Sequence, residues 1–103
     1  MDQLKKKIDK YISNQQYIKA IEELTKLLDN DTDNIDWLAL RADIYYLKQE
    51  YPKALNDYNK VLKIKKDNKI IASKVEMIKD ILKFQALDIY ASTNLNMDPW
   101  LDD

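Results

Sequence analysis

Apolar residues return to one helical face again and again along this chain, in blocks of roughly a dozen residues. Leu4, Ile8, Tyr11 and Ile12 recur at spacings of four, three and one, which places them on one stripe of a 3.6-residue helix. Ala20, Ile21, Leu24, Leu27 and Leu28 form a second stripe. Both stripes then come back, as Leu38, Ala42, Tyr45 and Tyr46, followed by Ala54, Leu55, Tyr58, Val61 and Leu62. Each pair predicts two amphipathic helices joined by a short turn. A last and broader stripe of Ile70, Ile71, Val75, Ile78, Ile81, Leu82, Phe84 and Leu87 predicts one long helix from about Asn68 to about Tyr90. The expected fold class is all-α.

The two hairpins are copies at a period of 34 residues. Laid over one another without a gap, they pair Leu4 with Leu38, Lys7 with Arg41, Tyr11 with Tyr45 and Tyr17 with Tyr51. Further on, Ala20 falls on Ala54, Leu27 on Val61, Leu28 on Leu62 and Asn34 on Asn68. The alanines have a physical task, since helices approach to about 8–10 Å only where the side chains at the crossing are small. Pro52 falls in the first turn of the fourth helix, where its missing N–H is not needed.

The stretch from Leu38 through Arg41, Ala42, Tyr45, Tyr51, Pro52 and Ala54 to Leu55 resembles the tetratricopeptide-repeat family, and the resemblance extends over residues 1–68. Ile8 and Ala42 stand where Gly or Ala is usual, so the chain departs from the family pattern at Ile8, and it departs again at Gln15 and Gln49, where Gly is frequent near the turn. Thr32 and Lys66 stand where Pro closes a repeat. The resemblance implies a right-handed superhelix of two antiparallel helix-turn-helix repeats, at about 1–34 and 35–68, closed by a C-terminal capping helix at about 68–91. The domain is then expected over 1–91, with a polar acidic tail over 92–103.

No third repeat is expected, because the residue 34 beyond Ala54 is Asp88 and the one 34 beyond Tyr45 is Lys79. Repeat arrays need a covered end, and Ile71, Val75, Ile78 and Leu82 suit that role. Met77, Ile81 and Phe84 point to another side and are a candidate interface. Trp100, in the knot Met97-Asp98-Pro99-Trp100-Leu101, either folds back on the cap helix or serves as a short linear motif.

Composition narrows the function. Among 103 residues there is no Gly and only two Pro, which disfavours a many-turned β fold, and no Cys, which removes disulfides and thiolate metal sites. The start lacks a signal-like apolar run and no stretch is apolar enough for a bilayer, so a cytoplasmic setting without membrane contact is expected. A net charge of −1 offers no field for nucleic acid. With neither His nor Cys present and no Gly-rich phosphate loop, no catalytic residue, cofactor or metal site is expected, and the chain is read as a non-enzyme. The acidic run Asp29 to Asp36 fails as a calcium loop, having Asn34 where Gly is needed and Leu40 where a bidentate Glu is needed. It reads instead as the joint between repeats, with Asp33 or Asn34 capping the next helix.

The resemblance implies that the first helix of each hairpin lines a concave groove for an extended peptide or a partner helix. Candidate groove residues are Lys5, Asp9, Ile12, Asp36, Asp43 and Tyr46. One branch of the family grips a peptide C-terminus with Lys and Arg beside two Asn; here Lys5 and Lys74 match the cations, but Asp9 and Leu40 replace the amides. A basic or amphipathic peptide suits the acidic groove better than a carboxylate. The chain is thus expected to be a protein-protein interaction module, an adaptor or scaffold. The alternative is homo-oligomerisation, a homodimer built on the apolar face of the last helix.

Overall fold

The structure is a computed structural model that describes the backbone of residues 2–95 and the side chains of 3–87. Among the described residues there are five helices and no strand: α1 (Asp2–Ser13), α2 (Tyr17–Asn30), α3 (Ile35–Leu47), α4 (Tyr51–Ile64) and α5 (Lys69–Leu95). Each helix packs on the next along the chain, so the molecule is an array of neighbours and not a bundle around one centre. Trp100 and the rest of the Met97–Leu101 knot lie outside the described residues.

The turns inside the two hairpins have the same construction. In the first, the Gln15 N–H donates to Ile12 at 2.9 Å and the Gln16 N–H to Tyr11 at 2.8 Å; in the second, Gln49 donates to Tyr46 and Glu50 to Tyr45, both at 2.9 Å. This is the Schellman closure of a helix end, which requires a left-handed residue. Gln15 and Gln49 supply it, with φ of 58° and 61°. An L-residue with a Cβ pays about 1–2 kcal/mol for that conformation, and glycine does not. Gln15→Gly and Gln49→Gly are therefore each expected to stabilise the chain by about 0.5–1 kcal/mol after allowing for the greater freedom of glycine in the unfolded chain. A rise in the thermal midpoint of either variant checks this, and a fall would show that the glutamine side chains matter more than the backbone.

The joints between hairpins also repeat. Asn34 Oδ1 accepts the Trp37 N–H at 3.0 Å, and Asn68 Oδ1 accepts the Ile71 N–H at 3.1 Å. Asn34, and not Asp33, is thus the cap of α3, held in turn by donation to Asp31 at 3.0 Å. The 34-residue period survives in the way α5 starts, one joint beyond the second hairpin.

The core runs through all five helices. Ile8, Ala20, Leu24, Leu38, Ala42, Ile44, Ala54, Tyr58, Val61 and Ile78 are all but inaccessible to water. Ala20 and Ala54 have no exposed surface. On α5, Ile71, Val75 and Ile78 are buried and Leu82 packs beside them.

One buried ion pair holds the second hairpin together, and a hydrogen bond from the same guanidinium reaches the first. Arg41 donates through Nε to Asp57 Oδ2 at 2.7 Å and through Nη2 to Oδ1 at 2.9 Å, while Nη1 reaches Thr25 Oγ1 at 3.1 Å. The hydrogen bond to Asp57 holds the guanidinium above its usual pKa against the opposing effect of burial. The equivalent pair one repeat earlier, Lys7 and Glu23, stands open at 3.5 Å. The second copy is buried because α2 lies over it; the first has no helix before it among the described residues.

Candidate functional site

Two clefts open along the side of the array formed by the odd-numbered helices. The larger, about 460 Å³, lies between α1 and α3 and is lined by Lys5, Asn34, Asp36, Trp37, Ala39, Leu40 and Asp43. Trp37, Ala39 and Leu40 make an apolar floor, and Lys5, Asp36 and Asp43 put charge on the rim. The smaller, about 220 Å³, lies between α3 and α5, where Tyr46, Leu47, Tyr58, Met77 and Ile78 form apolar walls beside Asp43 and Lys74.

Asp43 stands between the clefts and is heavily engaged. It accepts from the Tyr58 hydroxyl and from Lys74 Nζ at 3.0 Å. Burial, and then the bond to Asp43, push the Tyr58 phenol far above its ordinary pKa, so it stays a hydrogen-bond donor under any ordinary condition. Lys74 also lies 5.6 Å from the Tyr58 ring centroid. One carboxylate thus joins α3, α4 and α5.

The candidate groove residues separate on this geometry. Lys5, Asp36 and Asp43 meet in the larger cleft, and Asp43 and Tyr46 in the smaller. Asp9 is exposed on α1 and lines neither, while Ile12 is half-buried against the core. Of the candidate interface residues, Met77 belongs to the same cleft as Tyr46, with the Tyr46 hydroxyl 4.0 Å from its sulfur. Tyr46 of the candidate groove and Met77 of the candidate interface therefore line one cleft. Ile81 is half-buried, and Phe84 is 67% exposed. Lys74, one of the two cations that match a carboxylate clamp, is neutralised by Asp43.

Trp37 and Leu47 were not among the groove candidates. Both lack a match in the first repeat, where Gln3 and Ser13 stand 34 residues earlier, so the period gave no sign of them. The available signal was that Trp37 follows the N-cap in the first turn of a helix whose other face is already satisfied. Among the described residues, no group of three or more acidic, His or Cys side chains is placed to hold a metal ion, and no helix is long and apolar enough to cross a membrane.

These features define a small helical-repeat protein: paired antiparallel helices stacked in sequence, with a cleft-bearing side. Residues 35–68 match the family model described as tetratricopeptide repeat, so α3, α4 and the joint that follows form such a repeat. A comparison with curated proteins finds no match. Repeats of this family generally mediate protein-protein interaction.

Proposed function

We propose that the chain acts as a cytoplasmic adaptor or scaffold, without catalysis of its own, that docks a basic amphipathic peptide or helix in the cleft between α1 and α3. The observation that supports this reading is the composition of that cleft: Trp37, Ala39 and Leu40 offer apolar contact, and Asp36 stands on the rim opposite Lys5, beside Asp43, whose charge is shared with Lys74. An apolar floor with a rim of one prevailing charge selects an amphipathic segment of opposite sign. Asp9, exposed on α1, adds to the same field.

Asp36 is the clean probe, because it is exposed and makes no side-chain hydrogen bond to another described residue that would confuse stability with binding. Asp43 would report on both. Against a panel of lysine-rich amphipathic peptides and glutamate-rich counterparts, the chain is expected to bind the basic set, more weakly as salt rises. Asp36→Lys is expected to weaken that binding about tenfold, equivalent to about 1.4 kcal/mol, with the thermal midpoint unchanged. Equal binding of both peptide sets, or no effect of Asp36→Lys, would overturn the reading.

A further inference from the structure

On α5 one face is used up and another is left open. Ile71, Val75 and Ile78 are buried and Leu82 is packed beside them, whereas Met77, Ile81 and Phe84 form a second stripe at spacings of four and three. From Lys83 to Leu87 every residue is exposed, so the helix there has left the body of the array. A helix bare on all sides is marginal in water by itself. Its exposed apolar residues call for a partner, and the shape of the surface indicates which one.

The same face carries a hole and a knob. The hole is the α3–α5 cleft walled by Tyr46, Leu47 and Met77. The knob is Phe84, seven residues beyond Met77, which is about 10.5 Å along the helix and within about 20° of the same direction. A surface holding both parts at a fixed offset complements itself under a twofold axis. We infer that the chain pairs with a second copy of itself through antiparallel α5 helices, each Phe84 entering the α3–α5 cleft of the other. The axis then crosses α5 between Asp80 and Ile81. Parallel pairing would set Phe84 on Phe84 and leave both clefts unfilled. The contact is small against the ~800 Å² per partner of a stable interface, so pairing is expected at micromolar concentration and above. It shares only Asp43 with the α1–α3 cleft and stands apart from the peptide-docking reading.

The chain has no cysteine, which makes the test direct. Sedimentation of the full chain across micromolar to millimolar concentration is expected to show a reversible dimer. Phe84→Asp and Leu47→Asp, one on the knob and one on the wall of the hole, are each expected to raise the dissociation constant at least tenfold with helicity and melting unchanged. Ile81→Cys, next to the axis, is expected to form a disulfide-linked dimer on mild oxidation, and Glu22→Cys on α2 is not. A chain that stays monomeric at millimolar concentration overturns the inference. So does a dimer that survives both aspartate variants, or one that cross-links through position 22 and not 81. Should Phe84→Asp unfold the chain, Leu47→Asp and the cysteine pair still decide.

Discussion

Arg41→Ala is expected to cost about 3–5 kcal/mol of folding stability, the range for removing one partner of a buried ion pair. Asp57 is 2% exposed, and its one charged partner among the described residues is the guanidinium that grips it with two parallel hydrogen bonds. Without Arg41 the carboxylate would either stay ionised in an apolar setting or take up a proton, and both are costly. Thr25 on α2 would lose its donor as well, so the damage reaches the joint between repeats. A domain of this size holds about 5–15 kcal/mol in total, and each kilocalorie moves the midpoint by about 4–8 °C. The variant should therefore melt roughly 15–30 °C lower or fail to fold. Arg41→Lys should recover only part of the loss, because an ammonium cannot reproduce the two-pronged geometry. Lys7→Ala is the internal control: it breaks the equivalent pair one repeat earlier, which is half-exposed, and should cost less than about 1 kcal/mol. Replacing the buried pair together, as Arg41→Met with Asp57→Leu, should come close to neutral. Thermal melts followed by circular dichroism separate these cases. Equal losses for Arg41→Ala and Lys7→Ala would show that burial of the second pair contributes nothing.

That contrast also marks where the sequence stops being informative. The 34-residue period sets Lys7 over Arg41 and, equally, Glu23 over Asp57, so the pairing across each hairpin was open to inspection. Its burial was not, because burial depends on which helix lies on top, and the period is blind to that. The hairpins, the burial of the two alanines and the asparagine cap were legible since each follows from local spacing or from a single turn's hydrogen bonds. Gln15 and Gln49 show the opposite case: departures from the usual glycine are visible in the sequence, but not that the backbone keeps the left-handed turn regardless. The face that carries the clefts was legible helix by helix. What the spacing could not convey was that Tyr46 of α3 and Met77 of α5 share one pocket. That contact is set by how two helices 31 residues apart lean together, and no periodicity encodes it.

Ile78→Ala and Met77→Ala, neighbours on one helix, are expected to differ by several kilocalories per mole. Ile78 has no exposed surface although it lies on the last helix, whereas Met77 is 43% exposed. Truncating a buried isoleucine costs about 2–5 kcal/mol through lost burial and the cavity left behind, and truncating a surface methionine should stay within about 0.5 kcal/mol. The loss at Ile78 should be global and not confined to α5. Two repeats bury too little surface to stand alone, and α5 completes the core through Ile71, Val75 and Ile78; if it detaches, Tyr58 and Val61 of α4 lose their cover. Urea unfolding read by circular dichroism and by Trp37 fluorescence, in a Trp100→Phe background, resolves the two possibilities. Circular dichroism follows every helix, α5 included, and Trp37 reports from α3, so coincident transitions mean that cap and hairpins unfold as one unit. If Ile78→Ala instead splits the curves, with helix signal lost before Trp37 responds, the hairpins hold without their cap and α5 is an appendage to a core already sufficient.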